Sequence, residues 1–485
     1  MEQSNWWATI FFVLDVLIGF GFTYRIIMRR LAVGVSLAWI VVVLIFPWFG
    51  AIIYLLFGEL RLGEQRALQV KRLEEPRERW LGAIMARAIT KPKFDSHCSD
   101  DVFRISNSMF GMPALPGNSL ELLDGANTIF ESLVRDINDA KHTIHIEFYI
   151  WSNGGRADDV AEVLLLAVKR GVRCRVLLDN VGSRPFLSSP MAQRLRDGGV
   201  ELISALQVGI VRAFFVRFDL RLHRKVVVID GRIGYTGSFN LVDPRYFKQS
   251  SGVGEWVDAM VRVQGPVVEA LAVSFLSDWV VESHESVASL ADETVNLELP
   301  NVGQAPVQVL PSGPTSAAQA IEQVVIQCLY AARDNIMITT PYFVPDETLV
   351  AALVTAAHRG VNITLILPKK VDSKLTGLAG QAFIGDLLEA GIHVALFDGG
   401  LLHTKSITID NELSLFGSLN LDPRSFHLNF EITLAIYDAE FTARLRSLQQ
   451  EYIAKSTRAS LSDWNSRTRF RKFADNTARL LGPLL

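Results

Sequence analysis

The chain has 485 residues, a formal net charge of −3 and a 49% hydrophobic content, with a mean hydropathy of +0.24. That length suggests two domains plus appendages, the near-neutral charge excludes a global field steering an anionic partner, and the apolar excess points to a membrane portion. The three cysteines, Cys98, Cys174 and Cys328, show neither CxxC nor metal-type spacing, so they read as buried thiols rather than a disulfide framework.

Two apolar runs open the chain. Residues 6–24 are interrupted only by Asp15 and small polar residues, and residues 31–57 carry no charge. Each can cross about 30 Å of hydrocarbon as a helix, with Trp6, Trp7, Trp39 and Trp48 as interface residues. A carboxylate at the bilayer centre costs a few kcal/mol, so Asp15 should face the second helix or a polar pocket. The first run lacks a basic n-region and a small-residue cleavage site, which argues against a cleaved signal peptide. The expectation over 1–58 is therefore a transmembrane helical hairpin. Arg25, Arg29 and Arg30 then lie at one end, and Arg61, Arg66, Lys71 and Arg72 at the other, a balance that decides no sidedness.

A juxtamembrane helical linker follows over 59–100, rich in Arg, Glu, Leu and Ala, with a helix breaker at Pro76. A globular pattern then occurs twice. In 101–283, TIHIEFYIW (143–151) reads as a strand, AEVLLLAVKRG (161–171) as a helix closed by Gly171, and VRCRVLLD (172–179) as a second strand. In 307–455 the same order recurs in NIMITTPYFVP (335–345), AALVTAAHRG (351–360) and VNITLILP (361–368). A repeated βαβ unit predicts α/β domains built on a mostly parallel sheet covered by helices. Residues 284–306 are polar and weakly periodic, the composition of a linker, and 456–485 form a basic amphipathic C-terminal segment.

The residues with the clearest chemistry recur at one spacing. LHRKVVVIDGRIGYTGSFN (222–240) carries His223, Lys225 and Asp230, then Gly237, Ser238 and Asn240. LHTKSITIDNELSLFGSLN (402–420) carries His403, Lys405 and Asp410, then Gly417, Ser418 and Asn420. A lone histidine on an apolar strand reads as a satisfied core residue; two matched copies of the whole pattern read as a site. Strand alternation projects His223 with Lys225 and His403 with Lys405. Asp230 and Asp410 have the opposite parity and sit beside turns, so they order strand ends rather than touch substrate. Ser238 and Asn240, like Ser418 and Asn420, share a face and offer a hydroxyl and an amide to a phosphate oxygen.

Brought together about a pseudo-two-fold axis, these groups suit phosphodiester transfer without a metal. One imidazole attacks phosphorus, while the other protonates the leaving alkoxide and later deprotonates the acceptor. The lysines and asparagines neutralise the equatorial oxygens. No HExxH, DxD or Cys/His cluster is present to hold a metal and no nucleotide fingerprint is seen, so no cofactor is expected. No long basic stripe with interleaved aromatics surrounds the motifs, which argues against a nucleic-acid substrate.

These are HxKxxxxD motifs, and the chain resembles the phospholipase D superfamily and, within it, the bacterial cardiolipin synthases. The resemblance rests on GSFNLVDPRYFKQSSGVGEWVDAM (237–260), LLHTKSITIDNELSLFGSLNLDPRSFHLNFEITLAI (401–436), TTPYFVPDETL (339–349), PKKVDSKL (368–375) and FPWFGAIIYLLFGE (46–59). It covers essentially the whole chain, with no departure at a catalytic position. It implies a transmembrane hairpin followed by two pseudo-symmetric phospholipase D-like α/β domains, in a multi-pass protein of the bacterial inner membrane. The implied reaction converts two phosphatidylglycerols into cardiolipin and glycerol through a phosphatidyl-histidine, with phosphatidylglycerol and anionic membrane lipid as partners. Water or serine as acceptor is the alternative. By the same resemblance His223 is the nucleophile and His403 the acid. Asp258 and Glu431, each roughly thirty residues after its histidine on the next strand of its own half, would then hydrogen-bond the other ring nitrogen.

Two further stretches mix arginine with apolar residues. Residues 206–225 read equally as an interfacial segment and as an ordinary loop with an edge strand. Residues 464–485 read more readily as a membrane-lying amphipathic helix than as a solvated helix packed on the domain.

Overall fold

Uncharged apolar sequence sets the architecture of the first 68 residues. In the computed structural model, which describes residues 2–85, 97–207, 217, 219–283, 285, 299–314, 319–480 and 482, helix Glu2–Met28 comes first. Its segment Trp6–Met28 is the one described helix long and apolar enough to cross a membrane. Phe11, Phe12, Leu17 and Phe20 stand exposed along it.

The second apolar run does not make the single spanning helix expected of it. Helix Val33–Ile45 stops at Phe46, and Pro47 opens a separate helix, Pro47–Ile53, extended by a π turn over Tyr54–Gly58. Proline lacks the N–H that the preceding turn would bond and disfavours helical backbone in the residue before it. The chain folds back at this break. A Cβ on Gly50 would lie 2.7 Å from the Val42 carbonyl oxygen, and Tyr54 packs edge-on against Phe22 and Trp39. Glu59 consequently returns to the level of Arg25, accepting hydrogen bonds from Arg25 Nε (2.5 Å) and Nη2 (2.8 Å) and from Arg29 Nη2 (3.3 Å). Asp15 finds its partner on the second run, as expected, by accepting from Trp48 Nε1 at 2.6 Å.

The chain divides into two units, Met1–Leu68 with Val208–Leu220, and Gln69–Gln207 with Arg221–Leu485. Helix Glu64–Met85 continues through Pro76, so the expected breaker does not break it; strong helix formers surround the proline in sequence. Half of the arginine-rich stretch 206–225 and most of the linker 284–306 lie outside the described residues.

In the second unit the two repeats share one sheet. From one edge to the middle its strands are Glu201–Ala205, Arg173–Asp179, Thr143–Phe148, Val226–Ile229, Ile233–Gly237, Ala259–Gln264 and Leu115–Asp124. The order then mirrors itself through Ala305–Ser312, Asn429–Ile436, Leu413–Gly417, Ser406–Ile409, Asn335–Thr339, Asn362–Pro368 and His393–Phe397, with Ser456–Arg458 at the far edge. The seam is the antiparallel contact of Leu115–Asp124 with Ala305–Ser312. Buried Asn118 fastens it, donating to Leu115 O (2.7 Å) and Ala305 O (3.0 Å) and accepting from Val267 N–H (2.8 Å). Apart from two-residue pairings near the motif histidines, parallel pairing joins Thr143–Phe148, Arg173–Asp179 and Glu201–Ala205 in the first half and Asn335–Thr339, Asn362–Pro368 and His393–Phe397 in the second, where the βαβ crossovers lie. The inner strands pair antiparallel, Val226–Ile229 with Ile233–Gly237 and Ser406–Ile409 with Leu413–Gly417 as hairpins, so the expected mostly parallel sheet is a mixed one.

The two motif aspartates sit in the turns of these hairpins, at φ +50° for Asp230 and +48° for Asp410. The Asp230 carboxylate accepts the N–H groups of Lys141, His142 and Thr143 at 2.7–2.9 Å. Asp410 does the same for Arg333, Asp334 and Asn335. At about 3.3 Å per strand residue, each lies a full strand away from its lysine. They brace the sheet and stand apart from the histidines.

Helix Arg469–Leu480 packs on helix Lys374–Glu389, with Arg471 donating to Gln381 at 2.7 Å and Arg479 4.9 Å over the Phe383 ring. It leaves Phe470, Phe473 and Leu480 exposed on its other side. It therefore combines both sequence readings: packed on the domain, and apolar outward.

Removing the bracing carboxylates tests this division of labour. Asp230→Ala and Asp410→Ala should each cost about 1–3 kcal/mol, because three backbone donors lose their acceptor. A lower Tm with activity per folded molecule within about twofold of the parent is the expected result. A normal Tm with activity lost would return these residues to the site.

Candidate active site

Each His-x-Lys segment lies between two short strands and is clamped by the opposite half. Arg221–Leu222 pairs in parallel with Asn429 and Phe430, and His223 N–H donates to Phe430 O at 2.9 Å. Leu401–Leu402 pairs with Trp256 and Val257, and His403 N–H donates to Val257 O at 2.8 Å. The two halves thus exchange backbone hydrogen bonds at the site itself.

The side chains cross over in the same way. His223 Nδ1 is 2.8 Å from both carboxylate oxygens of Glu431. His403 Nδ1 is 2.7 Å from Asp258 Oδ1. The expectation placed each acid on the histidine of its own half; the structure gives it to the histidine of the other. An ionised carboxylate only accepts, so each Nδ1 carries the proton and each Nε2 keeps its lone pair for chemistry.

Ser238 and Ser418 were expected to meet a phosphate oxygen. Their hydroxyls instead donate at 2.5 Å to Asp258 Oδ1 and Glu431 Oε2. Asn429 Nδ2 adds a third donor to Glu431, at 3.2 Å. A carboxylate removed from water needs such donors, which explains the serine at this point of the motif. The preceding glycines have a steric cause: a Cβ on Gly237 would lie 2.5 Å from Ala259 O, and one on Gly417 2.2 Å from Ile432 O. Asn240 Oδ1 accepts Ile150 N–H at 3.2 Å, leaving its amide N–H groups for a ligand.

Lys225 Nζ donates to His223 O at 2.7 Å and Lys405 Nζ to His403 O at 2.6 Å. Each ammonium has three donors, so two remain for phosphate oxygens. Both lysines and both histidines are buried. Burial lowers the lysines, Lys225 to about 8 and Lys405 to about 7, against the upward pull of Glu431 and Asp258. Burial also holds both imidazoles well below their ordinary value, although the partner carboxylates pull upward. Burial would raise Asp258 and Glu431, but the histidine and lysine facing each one outweigh it and keep both ionised. The resting site therefore holds two neutral imidazoles, two carboxylates and two lysines whose grip on a proton is weakened by burial, and an entering anionic phosphodiester favours their ammonium form.

Three residues, Tyr149, Trp256 and Asn429, escaped the sequence reading. Tyr149 lies edge-on to His223 with ring centroids 4.9 Å apart, and Trp256 tilts against His403 at 4.4 Å. Trp256 stands two residues before Asp258, and Asn429 two before Glu431, on the faces the carboxylates use. That period was the available signal.

Two HxKxxxxD segments joined in one buried site, on a mirrored α/β sheet, define a phospholipase D-like protein. Residues 133–279 and 325–452 match the family described as "Cardiolipin synthase, PLD-like domain", and 7–59 match "Phospholipase_D-nuclease N-terminal". The chain is 42% identical over 465 residues to cardiolipin synthase A of Klebsiella pneumoniae, covering 96% of each chain. It is 41% identical over 485 residues to cardiolipin synthase A of Erwinia tasmaniensis, covering 99% of this chain and 100% of the relative. The crystal structure of phosphatidylserine synthase from Haemophilus influenzae superposes with a TM-score of 0.59 at 16% identity, over 79% of this chain and 100% of that one, a likeness of fold. The chain belongs to the cardiolipin synthase family of phospholipase D-like enzymes.

Proposed function

We propose that the protein is a cardiolipin synthase that transfers a phosphatidyl group from one phosphatidylglycerol to another, releasing glycerol. The observation that carries this reading is the pair of imidazoles, each fixed by a carboxylate of the other half, with its Nε2 free. His223 Nε2 attacks phosphorus, and the departing glycerol oxygen takes a proton from His403 Nε2. The entering phosphodiester favours that protonation, because its negative charge stabilises the imidazolium beside Asp258. A second phosphatidylglycerol then gives its hydroxyl proton to His403, its oxygen attacks phosphorus, and the bond to His223 breaks. Lys225, Lys405, Asn240 and Asn420 meet the equatorial oxygens. Burial of the histidines disfavours water as the acceptor and so favours lipid transfer over hydrolysis.

Purified protein given phosphatidylglycerol alone in detergent should form cardiolipin and free glycerol in equal amounts. His223→Ala and His403→Ala should each abolish this. Phosphatidic acid as the main product, or either variant within about tenfold of the parent, would contradict the reading.

Membrane attachment rests on the span Trp6–Met28. The multi-pass arrangement would need residues 31–57 to straighten through Phe46–Pro47. The ion pairs of Glu59 with Arg25 and Arg29 favour a single span followed by a re-entrant hairpin. Arg25, Arg29, Arg30, Arg61 and Arg66 then share one end, and the positive-inside rule puts the chain after Glu59 on the cytoplasmic side. In spheroplasts, an impermeant thiol reagent should label Ser4→Cys and spare Leu62→Cys. Equal protection of both would restore two full spans.

A further inference from the structure

The two halves correspond closely around the histidines until the segment after each GSxN. Nine residues lead from Asp422 to Glu431, but fifteen lead from Asp243 to Asp258. The longer segment breaks the pseudo-symmetry, and it does so beside His403. It carries Lys248, whose ammonium lies 5.5 Å from the Phe247 ring centroid and 5.4 Å from that of Trp256. Trp256 is the ring that packs on His403. From the second half, Asp372 meets Lys248 Nζ at 3.0 Å and accepts from Tyr342 Oη at 2.6 Å. Burial would raise Asp372, but Tyr342, Lys248 and His403 together hold it below the ordinary carboxylate value. At the other histidine the corresponding neighbour is the Tyr149 ring.

We propose that Lys248 and Asp372 form an acceptor subsite for a second anionic glycerol phosphodiester, the ammonium meeting its phosphate and the carboxylate a headgroup hydroxyl. This rests on the reading of His403 as the group that deprotonates the acceptor. An acceptor hydroxyl at His403 Nε2 is separated from its own phosphate by the three glycerol carbons and an ester oxygen, so that phosphate must lie just outside the reacting centre. Lys248, half-exposed on a flexible stem one aromatic ring away from His403, stands in that zone. Lys248 is half-exposed while Asp372 is largely buried and also held by Tyr342, so the ammonium keeps donors open to an arriving phosphate. The glycerol that leaves in the first step has no phosphate. Lys248 is therefore idle while the phosphatidyl-histidine forms, and engaged when a lipid acceptor resolves it.

The test compares two reactions of the full-length protein in detergent. One is exchange of labelled glycerol into phosphatidylglycerol, in which glycerol is both leaving group and acceptor. The other is cardiolipin formation. Lys248→Gln should lower cardiolipin formation about tenfold, the size of one charge-assisted contact, and leave exchange within about twofold of the parent. Lys248→Arg should recover most of the loss. A parallel fall in both reactions would make Lys248 a mere support for Trp256, and no fall in either would place the acceptor phosphate elsewhere; either result overturns the subsite. Wild-type protein that forms cardiolipin without exchanging glycerol would instead overturn the phosphatidyl-histidine reading, and the subsite with it.

Discussion

Two hydrogen bonds of opposite direction across the molecule, His223 to Glu431 and His403 to Asp258, are what the rest of the structure serves. A buried carboxylate is tolerated only with donors around it, and a buried imidazole acts as nucleophile or acid only in a fixed tautomer. Each pair meets both needs at once, and each draws its members from different halves. Neither half alone holds a histidine with its orienting acid. The short parallel ladders at Arg221–Leu222 and Leu401–Leu402 exist at the same crossing points, holding the backbone of each histidine against the strand that supplies its carboxylate.

The mirrored sheet follows from that requirement. The seam between Leu115–Asp124 and Ala305–Ser312 makes two α/β units into one layer, so the strand bearing Glu431 and the segment bearing Asp258 reach across. Charges of both signs are then buried together. Lys225 and Lys405 offset the carboxylates in a site with little water, and the same burial weakens their own hold on a proton. A phosphodiester entering this pocket replaces lost hydration with fixed ammonium and amide donors, which need not reorganise during the reaction.

Much of the site was legible in the sequence because its spacing is doubled. His223 with Lys225 and His403 with Lys405 came from strand alternation, and the acids from the family resemblance. Alternation tells which face a side chain uses but not which half it faces, so the crossing of Glu431 and Asp258 was invisible. It also left open what the Ser238 and Ser418 hydroxyls would meet, since either a phosphate or a carboxylate fits that face. Hydropathy marked residues 31–57 as one run, yet the backbone restriction at Phe46–Pro47 divides it, and a sliding average does not register one proline. Two of the antiparallel pairings that make the sheet mixed were written in IDG and IDN, turn sequences whose aspartates parity had already set apart from the histidines.

The crossed pairing is tested most directly by separating the two chemical steps. A nitrophenyl phosphatidyl ester needs no acid to release its leaving group, so formation of the phosphatidyl-histidine depends on the nucleophile and its partner alone. With this substrate Asp258→Asn should accumulate acid-labile label on the peptide containing His223, because His403 has lost its partner and the acceptor step is slow. Glu431→Gln should accumulate little, because the nucleophile itself is impaired. Label accumulating in Glu431→Gln and absent in Asp258→Asn would mean that each acid serves the histidine of its own half, and would contradict the account.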